Sequence, residues 1–286
     1  MKTTIKLVIY YFLYQLVFSI ALVFFYGVGY VVGGIMANKA YGDDSDYVFD
    51  PESFMDGHMY AIMALAMIVA GIVMIWHLIH FKYVKFNLKS FCEVPGKTIL
   101  LSIPLIFAVM IFSNLCGEFL NIPDMMQDTF VQMSNSVFGV IAIAIVAPLV
   151  EELLFRGAIE GHFLRKGMKP VYAILISAAV FGIIHMNPAQ MLFGFLIGLL
   201  FGWLYYRTGS VVPGFIGHFI NNGLSCIVMA TSTPEELNTK TIELWGATTT
   251  YIVFALSIVV FVALFIYMKN KLPKAPEYTS EAQTQL

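Results

Sequence analysis

The chain has 286 residues, of which 59% are hydrophobic and 12% charged, and its formal net charge is −2. Soluble domains carry about 25% charged residues, so this composition excludes a water-soluble fold, and a near-neutral chain gives no electrostatic basis for a nucleic-acid partner. Several apolar runs exceed the ~18 residues that cross a bilayer, and no alternating ~10-residue segments suggest a barrel, so the expected class is an all-α polytopic membrane bundle.

In chain order, the run from Ile5 to Met36 is far longer than the ~7–15 apolar residues of a signal peptide and reads as an uncleaved first span. Hydropathy places further spans near 58–81, 98–120, 137–164, 170–187, 189–206, 211–230 and 247–268, giving about eight transmembrane helices. Residues 1–134 hold the first three spans, 135–230 a core of four, and 231–286 the last span with a short polar tail.

If each span crosses once, Lys2, Lys6, Lys82, Lys85, Lys89, Lys97, Arg165, Lys166, Lys169, Arg207, Lys269, Lys271 and Lys274 share one side. Lys39 and Lys240 fall on the other, with Asp43, Asp44, Asp46, Asp50, Glu52 and Asp56. The positive-inside rule then puts both termini in the cytoplasm, and the expected location is the plasma membrane. Gly194, Gly198 and Gly202 recur every four residues on the sixth span, a spacing that lets a neighbouring backbone approach. Cys92, Cys116 and Cys226 are widely separated and form no disulfide or metal pattern.

Charges deep in hydrocarbon cost about 2.5–3.5 kcal/mol each on insertion scales, which makes an intramembrane acid a functional candidate. The fourth span holds two, Glu151 and Glu152, after the apolar run Val137 to Val150. Glu152 and Arg156 are four residues apart and share a helix face, whereas Glu151 has no counter-charge in its own helix and suits a general base. Pro148 is expected to kink the helix just before the acids by leaving the Ala144 carbonyl without its helical donor.

Of six histidines, His58, His77, His80 and His162 lie at expected span ends. His185 and Glu151 both come out ~21–22 Å deep, counted from the cytoplasmic ends of their helices. His218 at ~12 Å and Asn222 at ~18 Å are shallower, four apart on one face, with Gly214 and Gly217 expected to leave room there for a substrate backbone.

These residues form three motifs: Glu151-Glu152-Leu-Leu-Phe-Arg156, Phe181-Gly-Ile-Ile-His185 and His218-Phe-Ile-Asn-Asn222. Together they resemble the EExxxR, FxxxH and HxxxN signatures of the CAAX-protease and bacteriocin-processing (CPBP, or Abi) family of intramembrane endopeptidases. The resemblance covers roughly residues 135–225. It implies hydrolysis of a peptide bond in a membrane-anchored peptide or protein, within the lipid bilayer. By resemblance, Glu151 and His185 activate water, His218 and Asn222 stabilise the oxyanion, and Glu152 with Arg156 holds the helix in shape.

Two histidines and two glutamates also raise a zinc reading, with Glu151, Glu152, His185 and His218 as ligands. Against it stand the missing His-Glu-x-x-His and an asparagine in the fourth place. The competing functions are a non-catalytic membrane scaffold or immunity protein and a proton-coupled transporter, the latter disfavoured because no internal repeat is present.

Overall fold

The computed structural model describes residues 2–41, 51–84, 94–272, 275, 276 and 278. Asp43, Asp44, Asp46, Asp50, Lys85, Lys89, Cys92 and Lys274 lie outside the described residues. Every regular element among those described is helical.

In chain order the long helices are α1 (Lys2–Tyr41), α2 (Pro51–His80) and α3 (Gly96–Phe119). A short α4 (Gln127–Ser134) leads into α5 (Val137–Arg165). Then come α6 (Pro170–Ile183), α7 (Pro188–Thr208) and α8 (Val212–Thr231). Two short helices, α9 (Pro234–Asn238) and α10 (Thr241–Trp245), precede α11 (Ala247–Lys271).

Seven of these helices are long and apolar enough to cross a membrane, and the chain is an integral multi-pass membrane protein. The expected fifth span is shorter than the hydropathy suggested. Helix α6 has 14 residues, about 21 Å of rise against the ~30 Å of a hydrocarbon core. It stops because residues 184–187 form a turn, with Met186 at φ 50° and Pro188 at the first position of α7.

That turn is tied down by polar contacts. The Asn187 amide donates to Asp124 Oδ1 at 2.8 Å and its carbonyl oxygen accepts from the Met125 N–H at 3.0 Å. Non-helical backbone at membrane depth is stable only where such partners or a polar cavity satisfy it.

Glycines bring α6 and α7 together, as their spacing suggested. A Cβ on Gly194 would sit 3.4 Å from Gly182 Cα, and one on Gly198 would sit 3.2 Å from Ala178 Cβ. Gly202 faces Ile174 of α6 and also the Glu160 carboxylate of α5. Helix α7 ends at Thr208 because Gly209 takes the left-handed conformation, φ 69°.

Helix α5 crosses the centre of the bundle and is not a uniform α-helix. Residues Ile141–Val146 and Glu152–Glu160 form wide π-helical turns with i→i+5 bonds, on either side of the five-residue α-turn that ends at Glu151. Single π turns inside helices are a frequent feature of functional sites.

The outer helix α1 packs mainly on α2 and exposes Ile9, Leu13, Leu16 and Ile20 to the lipid position. Thr4, Leu7, Val8, Tyr11 and Tyr14 are among its residues that turn inward.

Candidate active site

The kinked helix carries the acids, but the register of the kink differs from expectation. In the π segment the Ala147 N–H bonds to Ala142 O, so the next donor in that register would be residue 148. Residue 148 is proline, which has no N–H, and the carbonyl left without a donor is therefore that of Ile143, not Ala144. The Asn222 amide of α8 supplies the missing donor, Nδ2 to Ile143 O at 2.9 Å. Asn221 in turn donates to Asn222 Oδ1 at 2.9 Å.

Behind the site lies a buried ion pair. Arg156 Nη1 is 3.1 Å from Glu152 Oε1, and both side chains are withdrawn from solvent. Arg156 Nη2 also donates to Gly198 O at 3.3 Å, and its guanidinium stacks over the Phe181 ring at 4.4 Å. Phe181 thus serves twice, as a wall of the cavity and as a face for the arginine.

Gly214 is fully committed to this packing. A Cβ there would fall within contact distance of Glu152 Oε2, and one on Gly217 would strike Ile106. These two glycines let α8 approach α5 and α3, which corrects the expectation that they make room for a substrate.

His218 stands between the two acids. Its Nε2 is 3.6 Å from Glu151 Oε2 and its Nδ1 is 3.5 Å from Glu152 Oε1. Both distances are ion-pair contacts, longer than good hydrogen bonds, so a proton on either ring nitrogen faces a carboxylate. The depth mismatch counted from straight helices is absent, since His218 reaches both acids.

Glu151 is 6% exposed and takes a hydrogen bond from Tyr11 of α1, Oη to Oε1 at 3.3 Å. Its Oε2 is buried and has no hydrogen-bond partner.

Glu151, His185, His218 and Asn222 all line one cavity of about 290 Å³, together with Asn221, Gln190, Asn114 and Asp124. His185 lies in the α6–α7 turn, not on a helix, and its Nδ1 is held 2.8 Å from the Phe181 carbonyl. Glu152 and Arg156 do not line the cavity and hold its wall from behind. The four side chains considered for zinc are therefore divided between two environments. Among the described residues no group of three or more His, Cys, Asp or Glu is arranged to hold a metal ion.

Three polar residues escaped the sequence reading. Tyr11 and Asn221 belong to no motif, although Asn221 sits beside Asn222. Glu160, one turn past Arg156, is fully buried with neither carboxyl oxygen hydrogen-bonded. Its signal was present as a third acid at four-residue spacing after Glu152 and Arg156.

Fold and site together define a polytopic membrane protein with a half-open acid–histidine cavity between its helices. Residues 133–224 match the family model described as type II CAAX prenyl endopeptidase Rce1-like, which bears out the resemblance carried by the three motifs. At the level of that family, the match supports an intramembrane protease.

Two proteins of Bacillus subtilis (strain 168) are also similar. "Putative membrane peptidase YdiL" is 34% identical over 83 residues, 29% of this chain and 34% of that protein. "Uncharacterized protein YyaK" is 30% identical over 132 residues, 42% of this chain and 44% of that protein. The chain thus matches less than half the length of either relative. No solved structure matches.

Proposed function

We propose that this protein is an intramembrane endopeptidase that hydrolyses a peptide bond of a membrane-associated peptide or protein. The observation that carries this reading is the convergence of Glu151, His185, His218 and Asn222 on one half-open cavity, with His218 Nε2 3.6 Å from Glu151 Oε2.

Glu151 is the general base. Its Oε2 has no hydrogen-bond partner, which leaves that oxygen to accept a proton from water while the water oxygen attacks the scissile carbonyl carbon. His185 helps to orient this water, since its Nδ1 on the Phe181 carbonyl fixes the ring and turns Nε2 to other work. The proton held by Glu151 then passes to the leaving amine nitrogen as the C–N bond breaks.

His218 and Asn222 stabilise the oxyanion. An amide nitrogen carries two hydrogens, so Asn222 keeps one for the substrate after binding Ile143 O with the other. Glu152 and Arg156 hold α5 and His218 in place. The charge bias along the sequence supports a plasma-membrane protein with both termini in the cytoplasm.

The test is proteolysis by the purified protein in liposomes on a panel of membrane-anchored peptides, with Glu151→Ala as the comparison and a chelator added to each. The expected result is cleavage by the wild type with or without chelator and a loss of about 10³-fold or more in the variant. Cleavage that survives Glu151→Ala overturns the assignment of the base, and loss with chelator restored by zinc overturns the metal-free step.

A further inference from the structure

The N-terminal helix α1 lies outside the segment that matches the protease family, yet one of its side chains reaches the carboxylate at the centre of the site. We propose that Tyr11 is a positioning residue for Glu151, its hydroxyl holding Oε1 so that Oε2 alone faces the reacting water. This rests on the reading of Glu151 as the base.

The two oxygens of Glu151 have different surroundings. Oε1 accepts from Tyr11 at 3.3 Å, whereas Oε2 faces His218 Nε2 at 3.6 Å and has no hydrogen-bond partner. A carboxylate bound at neither oxygen would turn about its terminal torsion, which is broad and roughly two-fold, and present either oxygen to the cavity. Engaging one of them fixes the plane. The resulting gain is orientation, which acts on turnover and not on substrate affinity.

The placement of Tyr11 is not an accident of one rotamer. Thr4, Leu7, Tyr11 and Tyr14 follow a spacing of three, four and three residues, and so form one stripe along a helix whose other faces are largely exposed. Leu7 is fully buried in the same core as Val150 and Leu153, which flank the two acids. Tyr14, one turn further along, packs its ring against the same core. Side-chain packing thus holds the stripe on both sides of Tyr11.

Tyr14 also supplies the control. Tyr11→Phe and Tyr14→Phe each remove one phenolic hydroxyl from the same helix face and keep the ring that packs there. A merely structural role for these hydroxyls predicts similar small effects on stability and none confined to turnover. A positioning role predicts a difference between them.

The experiment measures kcat and KM on a cleaved peptide, and the thermal midpoint in detergent, for wild type, Tyr11→Phe, Tyr14→Phe and Glu151→Ala. Tyr11→Phe is expected to lower kcat by about tenfold with KM unchanged, the size of one lost hydrogen bond to a charged group. Tyr14→Phe is expected to leave both constants unchanged. If Glu151→Ala abolishes cleavage but Tyr11→Phe matches Tyr14→Phe, or raises KM alone, the role of Tyr11 is overturned while the base assignment stands. If Glu151→Ala retains cleavage, the reading of the base itself has failed.

Discussion

Breaking the Glu152–Arg156 pair from one side and then from both tests whether it is a shape-holding element. Arg156 is fully buried, and its charge has the Glu152 carboxylate at 3.1 Å, one carbonyl at 3.3 Å and two aromatic faces, Phe181 at 4.4 Å and Phe201 at 5.5 Å. Glu152→Leu removes the carboxylate paired at 3.1 Å and leaves the guanidinium its carbonyl and two rings, a change that costs about 3–5 kcal/mol. Arg156→Met leaves Glu152 with only His218, at 3.5 Å, and costs a similar amount. The double variant removes both charges and keeps most of the volume, so its cost should fall well below the sum of the two and below either single change. Equilibrium unfolding in mixed detergent micelles, followed by circular dichroism, reads all four corners of the cycle. A double variant as unstable as the two singles added together would refute the pair as a coupled unit.

Two further substitutions probe how α8 meets α5. Asn222→Leu strands the Ile143 carbonyl and should destabilise by about 1–3 kcal/mol, whereas in a Pro148→Ala background the new backbone N–H can reach that carbonyl and the same change should cost about 1 kcal/mol or less. Equal costs in both backgrounds, measured by the same unfolding titration, would show that the proline is not what orphans Ile143. Gly214→Ala places a methyl against Glu152 Oε2 and should cost about 1–3 kcal/mol, while Gly223→Ala, which meets nothing within 4 Å, should be neutral. A neutral Gly214→Ala in a thermal-shift assay would mean that α8 stands further from α5 than described.

Much of the site was legible in the sequence because the membrane makes polar residues conspicuous. A hydrocarbon layer penalises every charge, so Glu151, Glu152 and Arg156 stand out of an apolar run by composition alone, and four-residue spacing identifies the Glu152–Arg156 pair. The glycine spacing of α7 likewise announced its close contact with α6.

What sequence reasoning assumed, and the structure changed, was uniform helical geometry. Hydropathy measures how apolar a stretch is, not where its hydrogen bonds run. It therefore merged the turn at 184–187 into a fifth full span, while the ideal i→i−4 pattern around Pro148 placed the orphan carbonyl one residue late, because only the backbone register reveals π-helical turns.

Sequence by itself determined that this chain is a helical membrane protein and that its core must accommodate Glu151, Glu152 and His218, since the cost of burying them is a local property of each residue. Only the tertiary structure decided their partners: that His218 stands between two carboxylates, that Asn222 caps Ile143, and that Tyr11 reaches Glu151 from a helix 140 residues away in the chain. Such pairings depend on distances between helices. Those distances are set by packing at glycines and by the pitch of α5, which no pattern along a single helix encodes.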